Sequence, residues 1–208
     1  MRVRQARDII QSLEVVYAQA RKKFFTPKDY LVREERAESK SEYLDGEIFA
    51  MAGGSFNHNK VVGNTFKLPS RELEQKPCRV LMSDMHLHVK PNGLYTYPDV
   101  MVVCGKVQFD AKRNDTTINP VLIVEVLSPS THYYDRVRKF ALYKPIASLR
   151  EYLLVDSERV HITLLRLMNG QWMIEMYDDL DSSLELEPVD CKITLRDLYA
   201  KVNFENQP

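Results

Sequence analysis

Apolar positions in the chain recur with two periods, and each change of period marks an element boundary. Ile10, Leu13, Val16 or Tyr17, Ala20 and Phe24 return at helical spacing. That predicts an amphipathic helical extension over residues 1–25 with a basic end at Arg21, Lys22 and Lys23. A second helical stretch runs from Asp29 to Glu38, after Pro27. From Tyr43 to Met51 the pattern becomes strand-like around Asp45-Gly46, a residue pair that favours a two-residue hairpin turn. Gly53, Gly54 and Ser55 then lead into a polar start at Asn57, His58 and Asn59 and a stripe of Val61, Val62 and Phe66. This reads as an N-capped helix that Pro69 should kink or end.

Three strand-like runs follow, Arg79 to Val89, Thr96 to Cys104 and Val121 to Ser128, the last two apolar enough for burial on both faces. Gly105 to Asn119, charged and bearing Asn and Thr, reads as a long surface loop. A helical run from Asp135 to Tyr143 ends before Pro145, and Glu151 to Val155 is another buried strand. Asn169-Gly170 is a hairpin signal between Val160–Leu167 and Gln171–Tyr177. The acidic stretch from Asp178 to Asp190 reads as a solvated turn region, and Thr194 with Asp197 as a helix start. The expected architecture is α/β, a mixed sheet flanked by helices with a C-terminal β-meander.

Composition narrows the classes of function. At 208 residues, with 44% hydrophobic and 28% charged positions, the chain has the composition of one globular domain. Lys and Arg total 29, as do Asp and Glu. The net charge of zero argues against non-specific coating of nucleic acid, and leaves room for a local basic cleft. Three widely spaced cysteines suggest neither a disulfide framework nor a zinc cluster, and a reducing, cytoplasmic setting. No apolar run approaches the ~20 residues that span a bilayer, and the N-terminus lacks a signal-peptide core, so no membrane partner is expected.

The chemistry on offer is acidic. Asp99 opens one apolar strand and Glu125 interrupts the next, within Val-Leu-Ile-Val-Glu-Val-Leu. Burying two carboxylates requires compensation. Either they share a hard divalent ion such as Mg²⁺, or Arg79, Arg138 or Lys139 neutralises them in a salt bridge; spacing alone leaves both open. Asp84, His86 and His88 alternate on one strand as a rival zinc triad, but a straight strand spaces them too widely for one ion, which favours a solvated strand face. Nothing resembles a P-loop, a dinucleotide-binding turn or a serine nucleophile elbow.

Several segments together carry a resemblance. They are Tyr43 to Met51, His58-Asn59, Ser83-Asp84-Met85, Tyr97-Pro98-Asp99-Val100, Ile123 to Thr131, Asp135 with Lys139, and Glu151 to Asp156. From about Thr26 to Tyr199 the chain resembles the bacterial putative restriction endonuclease family of the PD-(D/E)XK nuclease superfamily. The resemblance implies a single nuclease-like domain over residues 26–208 with a restriction endonuclease-like core of helix, three strands, helix and strand. It further implies Mg²⁺-dependent hydrolysis of DNA, with Mn²⁺ as a substitute. Asp99 and Glu125 would hold the metal together with the backbone carbonyl of Val126. Leu127 stands where the superfamily has a lysine, and Lys139 on the following helix looks like its replacement. Glu47, His58 and Asp84 match family positions as supporting site residues. The resemblance makes Asp99, Glu125 and Lys139 removable with loss of cleavage and unchanged thermal stability. Cutting both strands of a duplex would ask for a homodimer. The other reading is a catalytically inactive scaffold that binds nucleic acid or a protein partner.

Overall fold

A computed structural model describes residues 23–111, 113–128 and 138–204. The predicted extension over residues 1–25 therefore lies almost entirely outside the described residues, as does Asp135. Two sheets share a corner. The larger holds six strands, in spatial order Gln171–Tyr177, Ile162–Met168, Glu151–Asp156, Leu122–Leu127, Val100–Cys104 and Cys78–Met82, and the smaller five, Glu47–Ala50, Ser41–Leu44, Leu94–Thr96, His86–Val89 and Thr116–Thr117. Helix α1 (Pro27–Glu34) starts at a reciprocal cap between Thr26 and Asp29. Strands β1 (Ser41–Leu44) and β2 (Glu47–Ala50) form the expected hairpin, with Asp45 and Gly46 both at positive φ.

Helix α2 (Phe56–Glu72) is capped by Ser55 and passes through Pro69 without ending there. The missing Pro69 N–H leaves one gap in the helical ladder, while the Leu73 N–H still bonds back to the Pro69 carbonyl. The expected strand from Arg79 to Val89 is two strands, β3 (Cys78–Met82) and β4 (His86–Val89), joined by a turn at 83–85. Opposite them, the run from Thr96 to Cys104 is divided into β5 (Leu94–Thr96) and β6 (Val100–Cys104). Pro98 explains the division: it has no N–H to pair, and it restricts Tyr97 before it. The hairpin β3–β6 thus lies in the larger sheet and its continuation β4–β5 in the smaller. Asp99 sits at the corner between them.

In the larger sheet, β6 is antiparallel to β8 (Leu122–Leu127), which is parallel to β9 (Glu151–Asp156). Both central strands are buried along their whole length. Leu122, Val124 and Val126 pack under α2, whereas Ile123 and Leu127 pack with Tyr143 and Tyr152 on the other face. Glu125 shares that second face by strand parity. Helix α3 (Phe140–Tyr143) covers it. Strands β10 (Ile162–Met168) and β11 (Gln171–Tyr177) complete the meander around Asn169-Gly170.

Four further expectations need correction. The loop from Gly105 to Asn119 contributes β7 (Thr116–Thr117), which pairs with β4 and is buried. The acidic stretch near the C-terminus contains one strand of a ribbon, β12 (Ser183–Leu186), paired with β13 (Cys191–Thr194) ahead of α4 (Leu195–Leu198); Leu184 and Leu186 anchor it in the core. Cys78 and Cys104 face each other across β3 and β6 and are disulfide-bonded, while Cys191 is a buried free thiol. His86 and His88 do not lie on a solvated face. They stack on Tyr97 and Tyr95 at 3.9 and 4.0 Å, and burial pushes His86 down to about 4.

The Arg166 guanidinium gathers Glu151, Glu175 and Glu187 around it. Burial raises the Glu151 carboxyl to about 7 despite this ion pair. A carboxyl raised in the folded state adds stability below its unfolded value, near 4.5, and that contribution is lost as pH rises through about 7. Glu151→Gln removes this titration. From about pH 5 to about pH 8 its thermal midpoint should therefore gain on the parent's. Parallel melting curves for the two proteins across that range would contradict the assignment.

Candidate active site

Asp99 is held where two strands part. Its Oδ2 accepts a hydrogen bond from the Val126 N–H at 2.8 Å, one step beyond the last β6–β8 pair, Val100↔Val124. The N–H and C=O of one residue leave a strand on the same side, so the Val126 carbonyl faces the same gap. The hydrogen bond to Val126, the residue after Glu125, sets Asp99 beside the end of β8, and both carboxylates line the same cavity.

Glu125 is almost fully buried, and its Oε1 accepts from Lys139 Nζ at 3.1 Å and from the Tyr143 hydroxyl at 2.7 Å. Complete burial and the neighbouring Glu125 raise the Tyr143 phenol well above its ordinary range, so it stays a donor. Lys139 enters from the segment leading into α3 and is only 6% exposed. Its ammonium also lies 3.3 Å from Glu42 on β1, a second buried carboxylate that accepts from Thr96 at 2.5 Å. Leu127, at the position of the superfamily lysine, is packed in the apolar layer with Tyr143 and Tyr152. The cation therefore reaches Glu125 from the helix side.

These groups line one cavity of about 360 Å³, whose polar residues include Glu42, His58, Asp99, Glu125 and Lys139. The segment from Phe49 to Gly54 forms the facing wall. The N-cap of α2 places His58 in its first turn, where its Nε2 is 3.6 Å from Asp99 Oδ2. Gly54 makes room for that ring, since a Cβ there would stand 2.3 Å from His58 Nδ1.

Of the residues singled out from sequence, Asp99, Glu125, Val126, Lys139 and His58 come together in this cavity, and two do not. Glu47 opens β2 opposite Leu44 and is not part of the lining; Glu42 is the hairpin carboxylate that enters. Asp84 lies in the turn between β3 and β4 rather than on a strand beside Asp99. Its side chain is 93% exposed and paired with Lys40. The alternation of Glu42 with Tyr43 was the available signal, but a short hairpin does not reveal which face meets the body.

The donor set suits a hard cation: two carboxylates and a backbone carbonyl leave most positions to water, as Mg²⁺ prefers. Among the described residues, no three His, Cys, Asp or Glu side chains cluster to hold an ion by themselves. This also disposes of the Asp84–His86–His88 triad.

Comparison with known proteins gives the fold a family. Residues 27–196 match the family Uma2, described as "Putative restriction endonuclease". The chain belongs to this family. It is 38% identical over 180 residues to the Synechocystis sp. (strain ATCC 27184 / PCC 6803 / Kazusa) protein slr1290, covering 86% of this chain and 93% of that one. A second protein of the same organism, sll1609, is 41% identical over 135 residues, covering 65% and 76%. The crystal structure of a protein from Anabaena variabilis ATCC 29413, described as a putative nuclease, superposes with a TM-score of 0.72 at 16% identity, covering 86% of this chain and 99% of that one. The chain thus has a nuclease-type fold, with its core elements in the expected order α2, β3, β6, β8, α3, β9. Among its described residues, no helix is long and apolar enough to cross a membrane.

Proposed function

We propose that this protein is a metal-dependent endonuclease that hydrolyses DNA phosphodiester bonds in the cavity between Asp99 and Glu125. The observation that carries the reading is that Asp99, tied to the Val126 N–H, and Glu125 line one cavity, with Lys139 delivered to Glu125 from a separate element. Asp99, Glu125 and the Val126 carbonyl would hold Mg²⁺, or Mn²⁺ in its place. Such an ion, when bound, lowers the pKa of its water and offsets charge on a phosphate.

The chain's own groups divide the remaining work. Lys139 and Tyr143 fix the rotamer of Glu125, and the Lys139 ammonium offers a positive charge to an incoming phosphate. His58 reaches the cavity beside Asp99, where an imidazole can donate to a phosphate oxygen or carry a proton. Gly54→Ala drives a methyl group into the His58 ring. Hydrolysis should fall roughly tenfold to a hundredfold with little change in melting temperature, and a crystal structure of the variant should show the ring displaced.

The direct test is a Mn²⁺ soak with an anomalous difference map, alongside cleavage of single- and double-stranded DNA with Mg²⁺ or EDTA. A peak between Asp99 and Glu125 and cleavage stopped by EDTA are expected. No peak and no cleavage would overturn the proposal. The position of Leu127 favours one alternative, a nuclease-like scaffold that binds without cutting. It would show as DNA binding with no product in either metal.

A further inference from the structure

Resting on the nuclease reading above, we infer that the solvent face of helix α2 is the track that holds the substrate's sugar–phosphate backbone as it enters the cavity. From Phe56 to Arg71 the helix contains no Asp or Glu, although the chain as a whole balances 29 cations with 29 acids. Its cations are Lys60, Lys67 and Arg71. At 100° per residue these three fall within about 40° of one another around the axis. They form one row opposite the buried side chains Val62, Thr65 and Pro69, which lie about 140–200° around the axis from Lys60, with Asn57 and Val61 between.

A helix face that is merely solvated ordinarily mixes signs, because i,i+4 pairs of opposite charge support the helix. Along this row the signs do not mix; Glu72, the one acid of the helix, lies about 100° around the axis from Arg71. Among the described residues, none of the three cations has a carboxylate within ion-pair distance, so their charges are available to an incoming anion. The first turn also lacks the acid that would favour a helix N-terminus, so an incoming anion meets no repulsion there. Gly63 lies beside the row with open space where a Cβ would stand, so an extended chain can approach closely.

The row runs toward the end of the helix that borders the cavity, with His58 projecting from the other side of the axis, about 160° from Lys60. Gly53 and Gly54 before the helix and His58 in its first turn line the cavity, and between them Phe56 is 76% exposed in line with the cations. From Lys60 to Arg71 the row is about 16 Å long, enough to meet several successive phosphates. A line of cations ending in an exposed aromatic ring combines backbone attraction with a surface on which a base can stack. This complementarity commits the face to a polynucleotide.

The test uses the whole chain in EDTA, so that binding is read without turnover. Labelled single-stranded DNA and its duplex are titrated by fluorescence anisotropy from about 50 to about 200 mM salt. The triple variant Lys60→Ala, Lys67→Ala, Arg71→Ala keeps helix-favouring residues at two exposed positions and at half-buried Lys60, and circular dichroism checks its fold. It should bind at least about tenfold more weakly than the parent, with the slope of log affinity against log salt reduced by about 2 to 3. Lys192→Ala, far from the row in sequence, serves as the control for general charge loss. A parent that binds DNA and a triple variant with the same affinity and slope would overturn the track and leave the nuclease reading standing. Binding lost in the triple variant, with a parent that cleaves nothing in Mg²⁺ or Mn²⁺, would support the track and remove the catalytic reading. A parent that binds neither DNA would overturn both. Tighter binding of the single strand, reduced further by Phe56→Ala, would identify the unpaired strand as the substrate form; equal loss on the duplex would identify the duplex.

Discussion

Lys139→Met is expected to be both inactive and less stable than the parent by about 3–5 kcal/mol, the usual result of breaking a buried ion pair from one side. The resemblance to nucleases alone suggested unchanged stability, with lysine as a purely catalytic group. In the structure its ammonium lies between Glu125 and Glu42, whose side chains are 4% and 8% exposed. Removing it takes from two desolvated carboxylates the cation they share. The penalty belongs to the charge and not to the packing, so the double variant Lys139→Met, Glu42→Gln should recover a substantial part of the lost stability. Its activity should stay absent, because the charge offered to phosphate is not restored. Urea unfolding of parent, single and double variants separates these contributions. A single variant that unfolds with the parent would mean that the buried trio is neutralised in another way.

The central strands and the two acids Asp99 and Glu125 are legible in the sequence because both rest on strong local signals. An acid inside an unbroken apolar run is conspicuous, and the Asp45-Gly46 and Asn169-Gly170 turns carry their conformation in their residue types. Long-range pairing was less legible. Nothing local in Thr96 to Cys104 says that Pro98 hands the chain from one sheet to another, yet that corner is what aims Asp99 at the Val126 N–H. Glu42 was missed for a related reason. The family pattern drew attention to Glu47 after the turn, but the β1–β5 pairing, Tyr43↔Tyr95, sets which face of the hairpin turns toward Lys139. The alternation of His86 and His88 carries their shared face but not its burial. Their burial comes from Tyr30, Tyr95 and Tyr97, which are remote in sequence from one another or lie across the strand pair.

Asp99→Asn is the sharper probe of the chemistry, and should lower hydrolysis by at least about 10²–10³-fold, the range found when one preorganised electrostatic partner is removed from a reacting centre. The amide keeps the shape of the carboxylate, and its oxygen still accepts from the Val126 N–H. Exchanging a charged for a neutral acceptor costs about 1 kcal/mol. The melting temperature should therefore fall only slightly. What the substitution removes is a hard anionic oxygen facing the gap that Val126 and Glu125 share, so Mn²⁺ affinity, read by calorimetry, should weaken together with the rate. Glu125→Gln cannot make this separation, because Glu125 also receives Lys139 and Tyr143 and its loss disturbs the buried network. If Asp99→Asn bound Mn²⁺ like the parent and cleaved at the parent's rate, the carboxylate would be no more than a strand-end acceptor for Val126. If affinity fell and the rate recovered at high metal concentration, Asp99 would act by holding the ion, and the remaining groups of the cavity would carry the chemical step.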